Sequence, residues 1–363
     1  DSSEKYSFIR VTPELAKKDK QVYDHLVQGT FNLARDSEGI ILPSEQVIKG
    51  VNFLLSNHNM CTYVIVKNNQ TQELIAHIAL SYWYNIKTAK RVFNTPSLQV
   101  NPEYRKQGLF SNVILKYSLD YIKYDPNNNK QVFRLYADKD NVNAQKAYLK
   151  NGFKPITNQI FLEDYVNEKT EIQYKTLEKE TKGEYSLKIA HESQIERVRE
   201  FINRNNKRTD FCDTLYNTSD IALHMKGIEK VLNKEEQGKV ILIEKKDSNT
   251  NGSSEQGKIV GISYVSMEVS DFNSVYYWWV DDLIIEQNTL DSLGTEHQIN
   301  KVQFVVYFSN SFSELYRESK DCGAMKLFLC QRFLETEKSS DTIIKESSRA
   351  VYTHYLLLEK EVI

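Results

Sequence analysis

A chain of 363 residues, at roughly 150 per domain, has room for two domains or one unusually large one. Hydrophobic residues make up 40 % and charged residues 26 %, the balance of a globular chain, which excludes a disordered or fibrous protein. With 47 Lys+Arg against 49 Asp+Glu the formal net charge is -2, so no global field draws nucleic acid or anionic lipid, and an anionic ligand needs a local site. No apolar run approaches the roughly 18 to 20 residues that span a bilayer, and Asp1-Ser2-Ser3-Glu4-Lys5 lacks the character of a secretory signal. Cys61, Cys212, Cys322 and Cys330 have no CxxC spacing and no neighbouring His pair, which reads as reduced thiols rather than disulfides or a metal centre. The expectation is a cytoplasmic protein, or a mitochondrial one after loss of a presequence, with no metal, no nucleic-acid partner and no membrane span.

In chain order, Val22, Leu26, Val27, Phe31 and Ala34 recur at helical spacing, and Pro43-Ser44 starts a second helix with the stripe Val47, Ile48, Val51, Leu54 and Leu55. Strands are predicted at 62–66 and 74–84 around the polar turn 67–72, then at 91–100. A helix follows at 109–124, a strand at 132–137 and a helix at 143–150, and strands at 153–162 and 171–177 close the half. The second half gives helical stripes at Ile195, Val198 and Ile202, and at Ile221, Met225, Ile228 and Leu232 behind Ser219 as the cap. Strands follow at 240–243 and 259–265, split by the polar insert 247–257, and at 276–285 and 302–308.

The two halves repeat one plan. Tyr6-Ser7-Phe8-Ile9 returns 179 residues later as Tyr185-Ser186-Leu187-Lys188, and the segment around Tyr174 returns 181 residues later around Tyr355. Residues 178–184 between the copies are charged and carry no large apolar side chain, a linker composition. The reading is therefore α+β, in two tandem domains at 1–179 and 185–363 joined by a linker at 180–184, each a mixed twisted sheet flanked by helices.

The chemistry concentrates after residue 98. In Leu98-Gln99-Val100-Asn101-Pro102-Glu103-Tyr104-Arg105-Lys106-Gln107-Gly108-Leu109-Phe110-Ser111 a strand ends, Pro102 stops it, and a short basic loop leads into an amphipathic helix. Unbonded amides at a helix start, with the helix dipole, favour a phosphate. Gly108 admits close approach of the backbone, and Arg105 and Lys106 add positive charge at the rim. A second constellation follows the strand at 132–137: Asn141, Ala144, Tyr148, Gly152 and Phe153 in the order N-x-x-A-x-x-x-Y-x-x-x-G-F.

Together these segments resemble the GNAT superfamily of acyl-CoA-dependent N-acetyltransferases. The R/Q-x-x-G-x-G/A pyrophosphate loop of that family falls on Arg105, Gly108 and Phe110, and its N-x-x-A-x-x-x-Y-x-x-x-G-F pattern falls on Asn141 through Phe153. Phe110 departs from the usual Gly or Ala; as the first apolar residue of its helix it is expected to point into the core. The resemblance implies that acetyl-CoA is the acyl donor and that main-chain groups of Leu98 and Val100 bind its pantetheine arm in a gap between two strands. It further implies that amides of Gln107, Gly108, Leu109, Phe110 and Ser111 hold the pyrophosphate, and that Asn141 bonds the pantetheine amide or a bridging water. Tyr148 becomes the general acid at the CoA sulfur, since a phenol of pKa about 10 is protonated at neutral pH and a thiolate near pKa 8.5 gains from its proton.

No general base is assigned. The strand at 91–100 carries no Asp or Glu, and His77 reads first as a core histidine. In the second copy, the strand at 275–285 is followed by an expected loop, Thr289 to Gln298, with Gly294 among acidic residues and no Arg-x-x-Gly start; an acidic edge repels pyrophosphate. The second copy is expected not to bind CoA, and either to support the first or to shape the acceptor cleft. The function implied is acetyl transfer to a primary amine of unknown identity by direct attack in a ternary complex. The alternative is a non-catalytic GNAT-fold subunit of a larger assembly.

Overall fold

The computed structural model describes residues 5–37, 39–125, 131–138, 140–155, 159–165, 184–205, 220–246, 257–270, 274–296, 322–330, 350–352 and 355–362. The first half runs β1 (Tyr6–Val11), α1 (Pro13–Lys18), α2 (Lys20–Ser37), α3 (Ser44–Ser56), β2 (Cys61–Asn68), β3 (Leu74–Asn85) and β4 (Lys90–Val100). A π-helical turn, Phe110–Ile114, then continues into α4 (Leu115–Lys123), followed by β5 (Gln131–Asp138), α5 (Val142–Lys150), β6 (Lys154–Pro155) and β7 (Gln159–Tyr165). The second half holds β8 (Tyr185–Ile189), α6 (Ile195–Asn205), α7 (Ile221–Leu232), β9 (Lys239–Lys245), β10 (Lys258–Ser270), β11 (Val275–Ile285), α8 (Gln287–Glu296), β12 (Cys322–Cys330), β13 (Ala350–Tyr352) and β14 (Tyr355–Val362).

Local chemistry explains the boundaries. Thr12 caps α1 by accepting from the Leu15 amide at 3.2 Å, with Pro13 at the first helical position. The Asp19 carboxylate accepts from the Gln21 and Val22 amides and starts α2. The Asn68 side chain accepts from the Gln70 and Thr71 amides and turns β2 into β3. The cap of α7 is Asp220, whose side chain accepts from the Leu223 amide, in place of the expected Ser219, which lies outside the described residues. One further expectation changes: Gln287–Glu296 is helical where a loop was expected at 289–298. Cys322–Cys330 runs parallel to β11, and the expected strands at 171–177 and 302–308 lie outside the described residues.

Two seven-stranded sheets have the same order: β1-β2-β3-β4-β5-β14-β6 and β8-β9-β10-β11-β12-β7-β13. The sixth strand of each comes from the other half of the chain. β14 pairs antiparallel along all of β5, Tyr355 opposite Asp138 through Val362 opposite Gln131, and β7 lies between β12 and β13. The segment expected as one strand at 153–162 is therefore divided: Lys154–Pro155 edges the first sheet beside β14, and the strand from Gln159 joins the second. The division at 180–184, of which 180–183 lie outside the described residues, separates two stretches of sequence but not two self-contained sheets.

Alternation along the strands sorts the core. Ile78, Leu80, Phe93, Phe133, Leu135 and Ala137 face α4 and α5, where Leu109, Val113, Ile114, Tyr148 and Phe153 complete one cluster. On the opposite face Val51, Leu54, Tyr63, Ile65 and Ala79 merge with Ile241, Ile243, Val265, Met267 and Trp278 of the second sheet. The halves thus share one core.

Candidate active site

β4 and β5 run parallel but pair only at Val92 with Val132 and Phe93 with Phe133. Beyond those pairs β4 continues to Val100 along β3 while β5 follows β14, so the two strands separate from Asn94 onward. Within this stretch β4 bulges: Ser97 pairs with Ala79 and Asn94 with Ser81, so Thr95 and Pro96 together oppose Leu80. The Asn101 amide donates to the Ile75 carbonyl, so by alternation Leu98 and Val100 turn their main-chain groups away from β3 and into the gap.

The loop at the mouth of the gap has two left-handed residues, Lys106 at φ +61° and Gly108 at φ +74°. A Cβ on Gly108 would stand 2.7 Å from Asn112 Nδ2, the movable end of a side chain, so it is the left-handed backbone angle that calls for glycine there. The helical winding that follows has no side-chain cap, and the first amide bonded back within it is that of Asn112, to the Gly108 carbonyl at 2.9 Å. Among the described residues no acceptor lies against the amides of Gln107, Gly108, Leu109, Phe110 or Ser111. An anion placed against such unbonded amides would meet both the donors and the helix dipole.

Side chains around the loop are more committed than the sequence implied. Arg105 is not an open charge at the rim: its Nη2 pairs with Asp36 at 2.7 Å and its Nε donates to the Val100 carbonyl at 2.8 Å. Arg35 first and Arg105 second hold the Asp36 carboxyl below the ordinary carboxylate range. Of Leu98 and Val100, Leu98 is therefore the one whose carbonyl Arg105 does not meet, and Lys106 stands exposed beside Arg105 on the loop. Gln107 Nε2 folds back onto the Glu103 carbonyl, and Ser111 Oγ accepts from Asn151 Nδ2 at 2.8 Å. Leu109 is buried, and Phe110 points into the core as expected, packing edge-on against the Tyr148 ring with centroids 5.2 Å apart.

Asn141 caps α5, its Oδ1 accepting from the Ala144 amide at 3.1 Å. One lone pair of its amide oxygen is thereby committed to the start of the helix. About two turns later α5 buries Tyr148 between Phe110 and Phe153, and loss of water pushes its phenol up to about 12. The group stays protonated throughout the neutral range.

His77 is settled as a core residue. It is fully buried, burial pulls its imidazole down to about 3, and its Nε2 bonds Ser97 Oγ at 3.0 Å. Gly29 of α2 leaves room for that ring, since a Cβ there would come within 2.3 Å of it. Beside it a cavity of about 790 Å³ opens between α2 and the 101–103 corner, lined by His25, Gln28, Gly29, Asn32, Leu74 and Asn101.

Two residues on this face went unread in the sequence. Asn94, where β4 leaves β5, donates through Nδ2 to Glu268 of β10, and the other oxygen of Glu268 accepts from Trp279 Nε1. Ser81 Oγ in turn donates to Asn94 Oδ1, and Trp83 stacks on Trp279 with centroids 6.3 Å apart. The one signal available was a lone carboxylate inside the otherwise neutral strand segment Gly261–Ser270.

Among solved structures, the chain is similar to a GCN5-related glucosamine N-acetyltransferase region of a fungal multi-domain GH3 β-N-acetylglucosaminidase, with a TM-score of 0.52 and 11 % identity over 98 % of this chain. The match spans 38 % of that protein's length. A GCN5-related N-acetyltransferase from Sphaerobacter thermophilus aligns with 98 % of this chain and 96 % of its own at 13 % identity and a TM-score of 0.47. A tandem GNAT protein from the clavulanic acid biosynthesis pathway covers 99 % of both chains at 9 % identity and a TM-score of 0.46. No protein-family model and no curated protein matches the sequence. The fold is that of the GNAT superfamily, built twice in one chain, with a closing strand exchanged between the copies. Among the described residues no helix is long and apolar enough to cross a membrane, and no cluster of His, Cys, Asp and Glu is placed to hold a metal ion.

Proposed function

We propose that the first copy is an acyl-CoA-dependent N-acetyltransferase that takes its acyl group from acetyl-CoA and passes it to a primary amine in a ternary complex. The observation that carries this reading is the separation of β4 from β5 after Phe93 and Phe133, with unbonded loop amides at its mouth. A pantetheine arm would lie along the gap against Leu98, its pyrophosphate would take the amides of residues 107–111, and Lys106 would stand beside the phosphates. Each amide bond to a charged acceptor contributes about 1.5–3 kcal/mol, so four or five suffice to seat a diphosphate. Tyr148 would give its proton to the departing CoA sulfur. The second copy, with α8 in place of a glycine loop, would serve as support and as one wall of the acceptor side.

Isothermal titration of the full chain with acetyl-CoA tests the reading. The wild type is expected to bind at micromolar ligand, and Gly108→Glu to abolish binding by placing a side chain and a negative charge among the amides. A wild type that gives no heat at millimolar acetyl-CoA overturns it.

A further inference from the structure

We infer that the second copy supplies the proton acceptor of the first copy's reaction, through the carboxylate of Glu268. The inference rests on the acetyltransferase reading and adds to it the group that handles the acceptor nitrogen.

The argument starts from an oddity of the core. On the face of β3 and β4 turned away from α4 and α5, five buried positions are polar: His77, Ser81, Asn94, Ser97 and Gln99. Burying polar groups beneath a sheet costs free energy, and two of these remain incompletely bonded, with no hydrogen-bond partner at His77 Nδ1 or Gln99 Oε1 among the described residues. The row leads to Asn94 at the point where the strands separate, and Asn94 holds Glu268 there. Glu268 is 5 % exposed and is fixed from both sides, by Asn94 Nδ2 on one oxygen and Trp279 Nε1 on the other. Both carboxylate oxygens are thus oriented by donors, one from each half of the chain.

Geometry gives this carboxylate a task. Tyr148 packs on the α4–α5 face of the first sheet, and Asn94 with Glu268 lies on the opposite face. A thioester carbonyl seated in the gap between β4 and β5 would therefore have a proton donor on one face and a proton acceptor on the other. An alkylammonium of pKa near 10.4 is only about one part in a thousand neutral at pH 7.4, so a base is required. Glu268 takes one proton from R–NH3+, and the freed lone pair forms the N–C bond at the thioester carbon. The C–S bond then breaks, its electron pair stays on sulfur, and sulfur takes the Tyr148 proton. The nitrogen loses a second proton as the amide forms, which restores the phenol through solvent, and the proton on Glu268 passes to water. The products are R–NH–acetyl, CoA–SH and one released proton.

The test compares Glu268→Gln and Glu268→Asp with wild type on a panel of a polyamine, an amino sugar, a free amino acid and a peptide N-terminus, with acetyl-CoA affinity measured in parallel. The expected result is a kcat for Glu268→Gln about 10²–10⁴-fold below wild type, with acetyl-CoA binding kept and the acid limb of the kcat/KM profile lost. Glu268→Asp is expected to recover roughly tenfold or more over Gln and to keep the limb, which a purely structural clamp would not do. Should Glu268→Gln fail to fold, Glu268→Asp decides: a lowered kcat with a displaced acid limb supports the assignment, and wild-type kinetics overturn it. Equal loss in Gln and Asp with the limb intact also overturns it, as does a wild type that binds acetyl-CoA yet acetylates no member of the panel. Absence of acetyl-CoA binding fails the acetyltransferase reading itself.

Discussion

Arg91 of β4 donates from Nε to Glu236, in the turn between α7 and β9, at 3.0 Å, and from Nη1 to Asp125 at 2.9 Å. The pair spans 145 positions and ties the two halves together, with the Glu236 side chain 2 % exposed and that of Asp125 8 %. Removing the cation leaves two buried carboxylates facing each other. Arg91→Ala is expected to cost about 3–5 kcal/mol, read as a lowered urea midpoint, with part of the loss regained at acid pH as the carboxylates protonate.

A second tie is steric. A Cβ on Gly227 of α7 would stand 1.8 Å from the Ile86 carbonyl oxygen, in the turn between β3 and β4. Backbone cannot swing aside as a side chain can. Gly227→Ala is expected to push α7 off the first half and to lower stability by roughly 1–3 kcal/mol, despite the better helix propensity of alanine. A thermal melt that rises instead would refute the contact.

Tyr148→Phe separates packing from chemistry. The ring keeps its edge contacts with Phe110 and Phe153 and loses only the hydroxyl. Thermal stability is expected to change by less than about 1 kcal/mol, while kcat falls by about 10²–10⁴-fold with acetyl-CoA affinity retained. A variant with wild-type kcat would remove Tyr148 from the reaction.

Two buried histidines set an acid limit. Burial pulls His77 down to about 3 and His224 to about 4, so both are neutral in the fold while an unfolded histidine protonates near 6.5. Below pH 6.5 the unfolded chain binds more protons than the native one, so stability falls as pH falls, by about 1.4 kcal/mol per pH unit for each histidine until the folded values are reached. Stability should therefore hold from pH 8 to 7 and be about 2 kcal/mol per histidine lower at pH 5. Imidazole proton resonances of His77 that titrate near pH 6.5 in the native protein would contradict this.

Much of the first copy was legible in its sequence because its signals are local. Pro102, Gly108 and the apolar residues after it mark a strand, a turn and a helix within about fifteen positions, and Asn141 to Phe153 places a capped helix against the same core. The second copy offered fewer such marks, so Gln287–Glu296 looked like a loop although it forms a helix. Partnership between strands was not legible at all. Alternation in β7 and β14 tells which positions share a face, but nothing in either segment says that its neighbour lies in the other half. Glu268 was hidden for a related reason: its meaning comes from Asn94, 174 residues away. The pairing of Arg105 with Asp36 was equally remote, and it braces the loop that carries Arg105.

Because β14 fills the place beside β5, a nascent chain leaving the ribosome cannot finish its first sheet when its first half has emerged. The edge of β5 must wait, shielded or at risk of wrong pairing, until residues 355–362 are made. Strands made before the second half of the chain are thus sealed only after it.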